Sequence, residues 1–324
     1  MKKVQRFAGA IVLLLAAVSA VWAQQPSQQS STRTDPPVNF NDIAILRWYQ
    51  SNQEISFAVG SAPYGLAFDG TSMWIANGGD NTVTKMRASD GAVLGTFAVG
   101  AQPRGVAFDG ANIWVANYAD NTVTKLRASD GAVLGTITVG THPIGTAYCG
   151  KYIWITNSGS NTLDQLQVSN GKILGTYTMG TSPFGVAFDG NDIWVANTGS
   201  NNVTKFRGSK VLGTFPVGNA PVGVAFDGTN LWVTNSGGNT VTKLRPSDGT
   251  VLGTFNVGTQ PYGVASDGVN IWVANAGSNN VTELRPSDGK VLGTFAVGSN
   301  PYGAAFDGAN IWVTNSGSNS VSKR

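Results

Sequence analysis

The side chains able to do chemistry are few. His142 and Cys149 are each present once, so no His/Cys set has the spacing that zinc or copper sites draw on. A Ser-His-Asp triad would need His142 as its base, and no Gly-x-Ser-x-Gly elbow stands between a strand and a helix. Within Thr141-His142-Pro143 the imidazole reads as a solvated loop side chain. Cys149 excludes an internal disulfide and reads as a tolerated substitution in a turn. Carboxylates do recur before Gly, at Asp69, Asp109, Asp189, Asp227, Asp267 and Asp307. A calcium loop alternates several acids, which these segments do not, so the Asp-Gly pairs read as turn formers. Asn77, Asn117, Asn157, Asn197, Asn235, Asn275 and Asn315 are expected to bond nearby backbone and shape loops. The expectation is therefore no catalytic set, no metal site and no cofactor.

The elements that carry these residues repeat. Asn112-Ile113-Trp114-Val115-Ala116-Asn117 returns around Trp74, Trp154, Trp194, Trp232, Trp272 and Trp312, at steps of 40 residues apart from one of 38 between Trp194 and Trp232. A period of this size belongs to one small sheet of a propeller. Within one repeat, Pro103 to Phe108 reads as strand a, followed by the Asp109-Gly110 turn. Ile113 to Ala116 alternates in period two as strand b. Val123 to Arg127 is strand c and Val133 to Val139 strand d, with Ser129-Asp130-Gly131 turning between them. Such a sheet is apolar on both faces and has two raw edges, so it is stable only when stacked around an axis. Gly105 and Ala107, between Val106 and Phe108, leave room for neighbouring blades on the crowded innermost strand.

The fold class is thus all-β, a seven-bladed propeller of four-stranded antiparallel blades. Its closure is written at the ends. The last repeat stops after strand c at Ser320 to Lys323, whereas Ile55-Ser56-Phe57-Ala58-Val59-Gly60 matches strand d at an offset of 40. The N-terminal strand is expected to complete the C-terminal blade. Residues 41 to 47 also match strand c; strand counting favours one N-terminal strand plus three C-terminal ones, with Ile43, Ile45, Leu46 and Trp48 packing as an extra segment.

Met1-Lys2-Lys3 and the apolar run from Phe7 to Val21, ending at Val21-Trp22-Ala23, have the form of a secretory signal peptide. The run is short of the roughly 20 residues of a membrane span. Residues 1–23 read as the signal peptide, 24–40 as a flexible Gln/Ser/Pro-rich linker and 41–324 as the propeller, exported to the periplasm or cell exterior. Without the leader, 18 basic residues face 18 acids, which argues against nucleic acid or anionic membrane as partner.

The run Pro-Tyr-Gly-Val-Ala-Phe-Asp-Gly followed by Trp-Val-Thr-Asn, as at Trp232 to Asn235 and Trp312 to Asn315 and, with Ile, Trp154 to Asn157, resembles the YVTN-type β-propeller repeat. The resemblance covers residues 55 to 324 and implies an exported or surface propeller. The marks of WD40 and kelch repeats are absent. The Pro-x-Gly, Asp-Gly and Trp pattern is also similar to the virginiamycin B lyase family of seven-bladed propellers. That resemblance implies a metal-dependent site with several His and a Glu at the channel mouth, a set that the single His142 does not match.

Function is sought where the repeats differ. The d–a and b–c loops of a propeller share one face. The residue after the loop Pro changes from blade to blade, as Tyr64, Arg104, Ile144, Phe184, Val222, Tyr262 and Tyr302. Asp80, Tyr118 and Asp120 on b–c loops and His142 on a linker join it on that face. Aromatic residues and Arg dominate binding energetics, and binding residues favour loops. The candidate ligand-binding residues are therefore Tyr64, Asp80, Arg104, Tyr118, Asp120, His142, Phe184, Tyr262 and Tyr302. The expected partner is an unknown protein, a glycan or a small molecule, bound without catalysis; a lyase or hydrolase at the channel mouth is the alternative. Blade three departs most: Tyr148-Cys149-Gly150 replaces Phe-Asp-Gly, and Leu163-Asp164-Gln165 replaces Val-Thr-Lys, a change expected to mark a contact edge.

Overall fold

Period-two runs of β-branched and aromatic residues, cut every few residues by Asp-Gly, Asn or Pro, form short strands that pair with the next strand in sequence. The computed structural model describes residues 55–324; the segments expected to be a signal peptide and a linker, and the one at 41–48, lie outside the described residues. Seven four-stranded antiparallel sheets result. In blade two the strands are Pro103–Phe108 (a), Asn112–Asn117 (b), Thr122–Arg127 (c) and Val133–Thr138 (d). Strands a of successive blades pack side by side, and the first, Pro63–Phe68, meets the last, Pro301–Phe306, to close the ring. Among the described residues no helix is long and apolar enough to cross a membrane.

The seventh blade takes its outer strand from the other end of the chain. Ile55–Ala58 pairs antiparallel with Ser320–Lys323, in the register Ile55 to Lys323 and Phe57 to Val321. The one-plus-three arrangement is thereby the one adopted. Side chains lock the seam: Phe57 stacks on Trp312 with centroids 5.6 Å apart, and Lys323 Nζ donates to the Ala88 carbonyl of blade one at 2.7 Å.

Between blades lies the core. Trp74, Ala76 and Val83 of blade one pack on Val106, Ile113, Val115 and Leu126 of blade two, and the same pattern recurs around the ring. The indoles have a three-sided environment. The d-strand Phe97 stacks on Trp74, and the ammonium of Lys85 on strand c lies 5.1 Å from the indole centroid. Lys85 Nζ also donates to Ala128 O of the next blade at 2.6 Å. The third side is Asp69, whose Oδ2 accepts the indole N–H at 2.7 Å while Oδ1 accepts the N–H groups of Thr71 and Ser72. The recurrent Asp is thus a turn former, as its Gly neighbour suggests, and also the partner of the Trp five residues on. A buried indole N–H needs an acceptor, and this position supplies one in six blades.

Blade three is the exception. Cys149 takes the place of Asp109, and its strand a extends through Cys149 into a tighter turn, with Cys149 opposite Tyr152. The thiol sits beside the indole and burial pushes its pKa up. Sulfur is a weak acceptor, and Trp154 Nε1 is buried without a hydrogen-bond partner. Cys149 is therefore more than a tolerated turn residue: it marks a missing bond. Asp164 also differs from expectation. It is buried, accepting from Asn157 Nδ2, Thr176 Oγ1 and Gly140 N, so it braces the blade interior and makes no contact edge.

The recurrent Asn of the Trp motif is likewise inside the sheet. Asn77 Nδ2 donates to Thr82 Oγ1 at 3.1 Å and Thr84 Oγ1 at 2.8 Å. Its partners are hydroxyls of strand c rather than the loop backbone expected from turn chemistry. A second Asn does hold loops. Asn81 adopts a left-handed conformation (φ 57°) and its Oδ1 accepts the N–H of Gln102 in the next d–a loop at 2.9 Å. The tie repeats from blade to blade and closes where Ala62 N donates to Asn319 Oδ1.

Candidate ligand-binding site at the mouth of the ring

Three local features bring the variable residue of each blade to the axis. The residue before the loop Pro is left-handed in every blade, His142 among them (φ 53°), which costs a non-glycine residue about 1 kcal/mol or more. The Asn ties described above hold that residue's N–H; for His142 the acceptor is Asn121 Oδ1 at 2.8 Å. After the variable residue comes Gly, where a β-carbon would overlap the carbonyl oxygen of the next blade's variable residue: Gly65 against Arg104, Gly105 against Ile144, and round to Gly303 against Tyr64. Only glycine permits that approach, so Pro-x-Gly sets the inner diameter of the ring and aims x across the opening.

Seven of the nine predicted residues join there in one continuous run of ring contacts. His142 stacks on Tyr118, 4.5 Å between centroids and 10° between planes. The Arg104 guanidinium carbon lies 5.2 Å from the Tyr118 centroid and 3.8 Å from that of Tyr64. Tyr64 meets Tyr302 edge-on at 4.8 Å, Tyr302 meets Tyr262 at 4.9 Å, and Phe184 lies 6.4 Å from both Tyr262 and Tyr302. Ile144 and Val222 occupy the remaining two of the seven positions and are buried. The ribbon draws on blades one, two, four, six and seven and on the linker before blade three, so it exists only once the ring has closed.

Asp80 and Asp120 are not brought into the ribbon. Both are exposed, and each braces the adjoining d–a loop: Asp80 Oδ2 accepts Ser61 N and Asp120 Oδ2 accepts Ala101 N, both at 2.6 Å. Ser160, Ser200, Ser278 and Ser318 make the corresponding bond with a hydroxyl. What holds the His142 imidazole is the face of Tyr118.

A partly open cavity of about 180 Å³ lies on the axis, lined by six of the seven variable residues, all but Tyr64, by the glycines and by the residue that follows each glycine. That last position is Leu66, Val106, Val186, Val224, Val264 and Ala304 in six blades and Thr146 in the third. Sequence reasoning missed Thr146; the signal available was a lone hydroxyl where six repeats are apolar. The Thr-for-Ala choice in the Trp motif also acts here. Thr156, Thr234 and Thr314 each accept the glycine N–H of their own blade at 2.8 Å and donate to the neighbouring variable residue's carbonyl, whereas Ala76, Ala116, Ala196 and Ala274 cannot.

Arg104 carries the only charge among the seven variable positions. Among the described residues no carboxylate pairs with it. Burial pushes the Tyr302 phenol well above its usual range, with the facing Arg104 guanidinium opposing the shift only in part; Tyr302 is therefore a neutral hydroxyl at physiological pH. Among the described residues no three His, Cys, Asp or Glu side chains are grouped as a metal site. The arrangement offers stacking faces, one cation and neutral hydroxyls, which is chemistry for holding a molecule.

No family model matches the sequence, and neither does any functionally curated protein. Solved structures do match. A virginiamycin B lyase from Staphylococcus aureus aligns over 84% of this chain and 98% of its own, with a TM-score of 0.73 and 19% identity. A streptogramin B lyase structure aligns over 84% and 96%, with the same TM-score and identity. A hydrazine synthase from Kuenenia stuttgartiensis aligns over 81% and 95%, at a TM-score of 0.69 and 20% identity. The likeness is one of fold: this chain is a seven-bladed β-propeller similar in architecture to these two lyase structures.

Proposed function

We propose that the protein is a non-enzymatic binding module that captures its ligand on the face carrying the d–a and b–c loops. The observation behind this reading is the continuous ribbon from His142 through Tyr118, Arg104, Tyr64, Tyr302 and Tyr262 to Phe184 across the mouth of the ring. Independent drift at the variable positions gives no reason for unlike residues from five blades and a linker to meet in one stacked array. Stacked aromatic rings with an interleaved guanidinium bind planar or CH-rich molecules through their faces and anions through the cation. The leader at Met1 to Ala23 supports a setting in the periplasm or outside the cell. Lyase chemistry at the mouth would use His142, and the Tyr118 stack that holds this imidazole is not the carboxylate contact that orients a general base.

The test is capture from a native envelope fraction by tagged protein, read by mass spectrometry, with wild type beside Arg104→Ala/Tyr118→Ala. A ligand retained by wild type and reduced at least tenfold by the double variant is expected. Equal retention by both would sink the assignment to this face.

A further inference from the structure

In six blades the turn between strands a and b presents a carboxylate to the Trp indole, and in the third it presents Cys149. The spacing is unchanged: Cys149 stands five residues before Trp154, as Asp109 does before Trp114. Its Sγ is one bond from Cβ and so takes the place of the Asp Cγ, the atom that carries both acceptor oxygens in the other blades. The Trp154 indole N–H faces the thiol, and Trp154 is 3% exposed with Nε1 unpartnered. A buried donor is thus aimed at a sulfur that accepts only weakly. Cys149 itself is only half-buried, so a small oxidant can reach it.

We infer that Cys149 is a site of oxidation to the sulfinate by a hydroperoxide, and that the sulfinate takes the part of the missing carboxylate by accepting the Trp154 indole N–H. The thiolate attacks one peroxide oxygen; an S–O bond forms as the O–O bond breaks, and the other oxygen leaves with a proton as water or alcohol. The sulfenic acid so formed repeats the step with a second peroxide. Sulfur loses two electrons each time, and each peroxide gains them. The chain has no second cysteine, so no internal disulfide diverts the sulfenic acid. The product branches as an Asp carboxylate does, one atom bearing two oxygens and a single negative charge. Hydrogen bonds to a charged acceptor are the strong ones, and here the donor is already desolvated and held by the core. Burial pushes the thiol pKa up, so the first step, which needs the thiolate, is slow at neutral pH and quickens as pH rises; the indole acts on the product. The a–b turn lies on the face opposite the d–a and b–c loops, and the inference is independent of the binding reading above.

The full-length protein is treated with hydrogen peroxide at mildly alkaline pH, and Cys149 is followed by peptide mass spectrometry. A gain of about 32 Da, two oxygen atoms, is expected on that residue. Calorimetry then compares oxidised with reduced protein, and Tm should rise by roughly 2–4 °C. Cys149→Ala treated alike sets the contribution of methionine oxidation and should show no rise. In Trp154→Phe, which keeps an aromatic ring without an N–H, Cys149 should still oxidise and Tm should not rise. With isotope-labelled tryptophan, oxidation should move one indole N–H resonance downfield, the one that Trp154→Phe lacks. The inference is overturned by a Cys149 that gains one oxygen or none, by a wild-type Tm that does not rise relative to treated Cys149→Ala, or by an equal rise in Trp154→Phe.

Discussion

Replacing Cys149 by Asp should stabilise the protein, although it places a charge in a partly buried turn. In six blades an Asp at this position accepts the Trp indole N–H at 2.7 Å; in the third, Trp154 Nε1 is buried and unpartnered. A hydrogen bond to a charged group is worth about 1.5–3 kcal/mol net, and an unsatisfied buried donor costs about 1–3 kcal/mol. The gain is smaller than the full sum. In blade two, Asp109 also accepts from Ala111 N and Asn112 N, and blade three's tighter turn, with Cys149 paired to Tyr152, forms those bonds only if it opens. A net gain of about 1–2 kcal/mol follows, which in a domain of this size raises Tm by roughly 2–4 °C. The reciprocal change, Asp109→Cys, forfeits all of its bonds to backbone and Trp114 and should cost about 2–4 kcal/mol. Differential scanning calorimetry under reducing conditions measures both, with Cys149→Ala as the reference for loss of the thiol. If Cys149→Asp melts at or below Cys149→Ala, the Asp–Trp bond is not what the position supplies.

Trp194 is fully buried between blades, so Trp194→Ala should cost about 3–5 kcal/mol; a loss below about 1 kcal/mol in urea denaturation would contradict its place in the core. Deleting residues 41–60 removes the strand that pairs with Ser320–Lys323 and the Phe57 ring on Trp312, and the calorimetric transition should then lose its cooperativity, an unaffected melt being the contrary result. Acid should destabilise the ring. Burial alone would raise the carboxyls of Asp69, Asp109 and Asp307, but their bonds from indole and backbone N–H outweigh it and hold them below the usual range. Their contribution is present above the unfolded value and disappears as pH falls through the folded one, so Tm should drop from pH 5 to pH 3; a flat profile would be contrary. Glu283 has the opposite sign: burial and then the nearby Asp267 raise its pKa, so its stability contribution is present below the unfolded value and lost as pH rises through the folded one. Glu283→Gln should therefore melt higher than wild type at pH 7 and level with it at pH 4.

How far the chain could be read without its structure depended on the range of the forces involved. Strand period, Asp-Gly and Pro turns and the Trp spacing are local, and they sufficed for seven blades, for strands within a residue of those observed, and for the closure of Ser320–Lys323 by Ile55–Ala58. The same counting placed Tyr64, Arg104, Phe184, Tyr262 and Tyr302 at equivalent positions. Partnerships across space were not legible. A list of Asp residues does not say that Asp69 bonds Trp74 while Asp80 braces Ser61, because one depends on the twist of a single sheet and the other on where the next loop returns. Tyr118 and His142 lie 24 positions apart and stack because the left-handed loop residue and the Asn121 tie fix the angle between blades two and three. The repeated residues determine the ring through local geometry; the site depends on the distances between unlike residues that meet only when seven blades have closed around one axis.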